Sequence, residues 1–174
     1  MIHYPDENII VRFGELELSA NAEVLMTTYL QSLKREVSPV CATPAPLPPL
    51  GKFCATFGGV YAGIVRDKSG NPDYHLFHAT DEHEITDANW HTAREKAAAP
   101  INGFTDWSLP DCREARLLAI NTPEGFDKDG WYWTATQHEH YADYAWVQDF
   151  LHGNQDYVQK SYGRRARPVR RVPT

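Results

Sequence analysis

The last third of the chain, from Gly130 to Val172, constrains the fold more than any other stretch. It reads Gly130-Trp131-Tyr132-Trp133-Thr134-Ala135-Thr136, then Tyr144-Ala145-Trp146-Val147-Gln148-Asp149-Phe150-Leu151-His152-Gly153, then Arg165-Ala166-Arg167-Pro168-Val169-Arg170. Three of the five tryptophans and five of the nine tyrosines lie here, in short runs that favour strands and end in an arginine cluster. Aromatics at this density form a core, a ligand-binding face, or both. Which of these applies decides the function.

The strand pattern gives segments at 132–136, 144–151, 155–162 and 166–171. Upstream, 57–65 and 74–79 read as a hairpin across the turn Lys68-Ser69-Gly70-Asn71-Pro72. Between these blocks, Thr86 or Asp87 caps a helix at 88–98 that stops before Pro100. Residues 102–110 form a turn-rich loop, and Asp111 caps a second helix at 113–120 with Ala115, Leu118 and Ala119 facing inward. A hairpin, two helices and then several antiparallel strands predict an α+β domain.

The first fifty residues are organised differently. Ile9–Phe13 and Glu15–Leu18 read as strands, and Ser19 caps a helix over 22–35. Val24, Leu25, Tyr29, Leu30 and Leu33 make an apolar stripe that must pack on the main domain or on a copy of itself, so a homo-oligomer through this helix is one of the two arrangements expected. Five of the twelve prolines fall in 38–50, a semi-rigid spacer. The expected organisation is a strand–helix extension at 1–37, a linker at 38–52 and a globular domain at 53–174.

A length of 174 residues with 42% hydrophobic and 23% charged content suits a globular domain that needs neither metal nor disulfide to fold. The net charge of −6 argues against general nucleic-acid binding. The charge is uneven, however: Lys160 to Arg171 holds six basic residues and no acid. Arg164, Arg165, Arg167, Arg170 and Arg171 either meet an anionic partner or pair with acids elsewhere in the fold. Cys41, Cys54 and Cys112 have no metal-ligand spacing, and no window approaches the roughly 18 apolar residues of a membrane span. The N-terminus carries no secretory pattern, so synthesis in the cytoplasm is expected.

Four motifs occur in a telling order. They are Gly103-Phe104-Thr105-Asp106-Trp107-Ser108-Leu109-Pro110 before a helix, Tyr132-Trp133-Thr134-Ala135-Thr136, Ala145-Trp146-Val147 with Phe150 and Gly153, and Arg165-x-Arg167-Pro168-Val169-Arg170. Together they resemble a bacterial and phage family typified by the C-terminal domain of a collagen-like adhesin. That family is similar to the C-type lectin-like fold and is related to formylglycine-generating enzymes. The likeness covers 57–172. It implies that the final strand pairs near the domain's first strand. One position departs: Ser108 stands where the family commonly has an arginine with a buried partner.

The chemistry points to binding. A formylglycine-generating site needs a cysteine pair late in the domain, and none follows Cys112. No His-Glu-x-x-His, phosphate loop, nucleophile elbow or paired-carboxylate pattern occurs. His138-Glu139-His140 offers donors of the kind zinc takes and Glu124, Asp127 and Asp129 of the kind calcium takes, but neither set has further ligands at metal-binding spacing, and no metal or other cofactor is expected. With Trp131, Trp133, Trp146 and Phe150 assigned to the core, ligand contact falls to Tyr141, Asp143, Tyr144, Asn154 and Tyr157. The expectation is a non-enzymatic, phage- or prophage-encoded domain, virion-associated after synthesis, that recognises a protein or glycan. The alternative is a small intracellular regulator that contacts nucleic acid or a protein complex through the arginines.

Overall fold

A computed structural model describes residues 8–13, 16–21, 46–67 and 70–174, in two compact units, Met1–Ala45 and Pro46–Thr174. In the first unit β1 (Asn8–Phe13) and β2 (Leu16–Asn21) form an antiparallel hairpin. Ser19 lies opposite Ile10 in this ladder, so it extends the strand rather than capping a helix. The expected helix at 22–35 lies outside the described residues.

The second unit is α+β, with two helices as expected. One sheet joins β3 (Phe53–Cys54), β4 (Gly59–Val65), β5 (Tyr74–His78), β12 (Val169–Pro173) and β7 (Trp107–Ser108), in that order and antiparallel throughout. The other runs β10 (Gln155–Gln159), β9 (Tyr144–Asp149), β8 (Trp131–Gln137), β11 (Arg164–Ala166) and β6 (Ile85–Ala88). Its β8–β11 pair is parallel, with Arg165 opposite Tyr132, so this sheet is mixed where antiparallel pairing was expected. The closing strand β12 lies next to β5 and one strand away from β4.

Helix α1 (Trp90–Ala97) starts later than its sequence suggests. Ala88 pairs with Arg164 across the β6–β11 ladder, and Asn89 becomes the cap, its Oδ1 accepting the Thr92 amide at 3.0 Å. Helix α2 (Cys112–Asn121) starts on a full capping box. Asp111 Oδ1 accepts the Glu114 amide at 2.8 Å, and Glu114 Oε2 accepts the Asp111 amide at 2.7 Å. Among the described residues no helix is long and apolar enough to cross a membrane.

The two helices cover opposite faces of the mixed sheet. Trp90, Ala93 and Ala97 of α1 pack with Trp133, Ala145, Val147 and Ala166. On the other side, Leu118 of α2 packs with Tyr132, Phe126, Phe150 and Val169. Each buried tryptophan finds an acceptor for its N–H: Trp90 to the Thr134 carbonyl, Trp133 to Ala88 and Trp107 to Ile101, at 2.8, 2.8 and 3.1 Å. The aromatic-rich strands are thus tied down at both ends of their side chains.

Candidate functional site

The hairpin β9–β10 alternates its side chains across the sheet. Ala145 and Val147 are fully buried against α1, so Tyr144, Trp146 and Gln148 project to the opposite face. Near the Gln148 end that face is closed by α2, where Gln155 Nε2 donates to the Cys112 carbonyl at 2.6 Å and to Gln148 Oε1 at 2.9 Å. At the Tyr144 end it is open, and an aromatic cluster occupies it.

Trp146 lies opposite Tyr157 in the ladder, with ring centroids 5.5 Å apart in an edge-on contact. His138 stacks on Trp146 at 5.8 Å and meets Tyr157 at 4.2 Å and Tyr141 at 4.8 Å. Tyr144 closes the group, 5.7 Å from Tyr141 and 6.0 Å from Tyr157. Tyr141 is 54% exposed and Tyr157 39%, so the cluster presents ring faces to solvent. His138 is held in place because its Nδ1 accepts the amides of His140 and Tyr141, at 3.1 and 3.3 Å.

The structure therefore brings Tyr141, Tyr144 and Tyr157 together and adds His138 and Trp146. Trp146 is half-buried and belongs to this face, not to the core. Trp133 and Phe150 are buried as expected, and Trp131 packs at the edge of the α1 core. Asp143 lies beside the cluster in the turn before β9, where its carbonyl accepts the Lys160 amide at 2.8 Å. Asn154 is elsewhere: it sits at the far end of the hairpin, where its carbonyl accepts the Asp149 amide at 2.9 Å. The four steps along β9 from Tyr144 to Gln148 set these ends about 13 Å apart.

The turn that carries Tyr141 is braced from below. Lys160 is buried, and its ammonium donates to Gln137 Oε1 and the Ala142 carbonyl, both at 2.6 Å, while lying 4.2 Å over the Trp90 ring. At the outer edge strand, Asp156 Oδ1 accepts the Tyr157 amide at 2.8 Å. That edge donor is spent on its own strand, which blunts strand addition and leaves side chains as the contact surface.

The arginines behave differently. Arg167 is 2% exposed and pairs with Asp81 at 2.8 Å and with Glu84. Arg165 pairs with Glu84 at 2.6 Å and Asp127 at 2.5 Å. Arg170 pairs with Asp106 at 2.6 Å while stacking 3.8 Å over Phe104. Arg171 grips Glu114, a carboxylate with no exposed surface, at 2.6 and 2.7 Å and donates to Ser108 Oγ at 2.5 Å. Arg164 alone of the five has no carboxylate partner among the described residues; it donates to the Gly163 carbonyl at 3.0 Å.

Two tyrosines complete these networks, and burial drives both pKa values up. Tyr132 donates to Glu84 Oε2 at 2.9 Å, and Tyr74 donates to Glu114 Oε1 at 2.7 Å; the neighbouring carboxylate adds to the rise in each case. Sequence alone did not mark Glu84 or Glu114, since their partners lie 83 and 57 residues away. In the acidic loop, Asp127 Oδ1 accepts the Asp129 amide at 2.8 Å and its other oxygen is taken by Arg165. Among the described residues no three His, Cys, Asp or Glu side chains gather with metal-ligand geometry.

A comparison with curated proteins finds no match. A family model described as the Lcl C-terminal domain matches residues 65–170, which spans both helices, the mixed sheet and the paired arginines other than Arg171. That stretch is more than half of the chain, and the chain belongs to the Lcl C-terminal domain family.

Proposed function

We propose that the second unit is a non-enzymatic binding domain that recognises a protein or glycan through the open face formed by His138, Tyr141, Tyr144, Trp146 and Tyr157, with Asp143 at its margin. The observation that carries this reading is the convergence of five aromatic rings, with exposed faces at Tyr141 and Tyr157, on a hairpin locked from behind by Ala145 and Val147. Rigid aromatic side chains supply contact area at low entropic cost, which is why such rings dominate recognition surfaces. Asn154 is left out of the surface by its position.

The finer fold reading is a C-type lectin-like domain. It is supported by the helix pair on a mixed sheet and by β12 lying in the same sheet as β3 and β4, which brings the ends of the domain together. A phage or prophage setting, with the first unit tethering the domain to an oligomer or particle, rests on the sequence resemblance and the proline-rich spacer. The arginine row is not part of the proposed surface, because four of its five members already face internal carboxylates.

The test is a glycan array and a pull-down from host surface extract, run with the wild type and with Tyr141→Ala, Tyr157→Ala and the double variant. Each alanine is expected to weaken binding by about tenfold, and the pair to remove it, with melting temperature within a few degrees of wild type. Binding that survives the double variant would show that the surface is wrong.

A further inference from the structure

A second site lies away from the aromatic face. His78 ends β5 and is 2% exposed. Its Nδ1 is 2.9 Å from the Ala79 carbonyl, which can only accept, so Nδ1 carries the proton. Burial lowers the imidazole pKa to about 4, so the ring is neutral at pH 7 and Nε2 is a bare acceptor. Nε2 has no hydrogen-bond partner. A buried acceptor left without a donor is costly, and native structures rarely tolerate one without a reason.

His78 forms part of the lining of an open pocket of about 330 Å³ shared with Gly51, Val60, Thr80, Asp81, Glu82, Thr122, Glu124 and Gly125. This is the lower end of the size range for small-molecule sites. No lysine or arginine lines it, and three carboxylates do. Asp81 is engaged by Arg167, whereas Glu82 and Glu124 have no partner among the described residues. Two glycines keep the walls bare. At Gly51, with φ of +74°, a Cβ would meet Glu124 Oε1 at 2.9 Å, and at Gly125 a Cβ would sit 3.0 Å from His78 Cε1 and 3.4 Å from Nε2.

We propose that this pocket binds the ammonium end of a small organic amine, with Glu82 and Glu124 balancing the charge and His78 Nε2 accepting one N–H. The free side-chain groups offered here, other than the Thr80 hydroxyl, are acceptors, and the Thr122 hydroxyl is already spent on the Leu118 carbonyl. An anion is repelled by the three carboxylates. A primary ammonium brings three donors and one positive charge, which matches both the unpaired carboxylates and the bare ring nitrogen. Gly125 lies against the ring at Cε1 and Nε2 and has no side chain to cover them. The site is independent of the aromatic face, and the two readings stand or fall separately.

The test is NMR of the full chain at pH 7.5, following the His78 ring nitrogens while n-butylammonium chloride is added at constant ionic strength. A saturable shift at Nε2 is expected, with half-saturation on the order of millimolar. Glu82→Gln and Glu124→Gln alter exposed side chains and leave the fold intact; each is expected to weaken binding about fivefold, and together they abolish it. Tetramethylammonium, which has the charge but no N–H, is expected to give no saturable shift at Nε2. The proposal is overturned by no saturable response to butylammonium, by an equal response to tetramethylammonium, by full binding in the double variant, or by calcium chloride displacing the amine.

Discussion

Acid should weaken this fold through His78, and the size of the effect follows from its surroundings. The ring is buried against Phe126, with centroids 5.1 Å apart. Burial lowers its pKa from 6.5 to about 4; the Arg167 charge adds to this, while the Ala79 carbonyl, Asp81 and Glu124 oppose it. Above pH 6.5 neither the folded nor the unfolded chain protonates the ring. Between 6.5 and 4 only the unfolded chain binds the proton, so stability falls as pH falls. Below 4 both states are protonated and the loss levels off. At 1.36 kcal/mol per pKa unit the full loss is about 3 kcal/mol, a large share of a domain's usual stability. His78→Leu removes the titration, and the Ala79 carbonyl still receives Arg167 Nη1 at 3.1 Å. Urea unfolding at pH 7.5, 6, 5 and 4 reads the difference. The wild type is expected to lose about 3 kcal/mol more than the variant across that range. Parallel pH profiles for the two proteins would refute the reasoning.

The buried charge networks make sharper demands than the exposed ones. Glu84→Gln strips a carboxylate from both Arg165 and Arg167 and is expected to cost about 3 kcal/mol in chemical denaturation, whereas Asp106→Asn, at the exposed end of the Arg170 pair, should cost under about 1 kcal/mol. Arg171→Ala leaves the buried Glu114 short of its cation and should cost about 3 kcal/mol; adding Ser108→Arg should restore part of it, since Ser108 Oγ lies 2.5 Å from the Arg171 guanidinium. Lys160→Met is expected to cost about 2 kcal/mol and to speed amide exchange at Tyr144, whose N–H closes the braced turn on the Tyr141 carbonyl at 3.0 Å.

Local signals carried much of the fold. Asp111 reads as a helix cap, and helix α2 begins there. β8, β9 and β10 fall where aromatic and β-branched residues recur, whereas the single closing strand expected at 166–171 is two, β11 and β12, in different sheets and separated by Arg167-Pro168. Local signals fail where two elements compete for the same residues. Thr86, Asp87 and Ala88 look like a helix entry, but pairing with β11 draws Ala88 into a strand, and the cap moves to Asn89. The parallel β8–β11 pair was equally hidden, because register between strands some thirty residues apart leaves no trace in either one. Ser108 is a case of partial legibility. The missing arginine is plain in the sequence, yet only the fold shows that Arg171, from the last strand, reaches the buried Glu114 beside it.

The aromatic face shows why residue type alone could not separate core from surface. Tyr144-Ala145-Trp146-Val147 offers a large ring at Tyr144 and Trp146 and a smaller apolar residue at Ala145 and Val147. Size suggests that the rings are the core. The pleat allows only one of the two sets to face α1, and α1 presents Trp90 there, a ring that already fills the space. Small side chains must then come from the sheet, so Ala145 and Val147 turn inward and Tyr144 and Trp146 turn out. The bulk of one tryptophan on α1 thereby decides where another is displayed on β9. Trp90→Ala should open a cavity under Ala145 and Val147 and loosen the hairpin behind the rings. In that variant, ligand binding at the aromatic face should weaken although no contacting residue has changed.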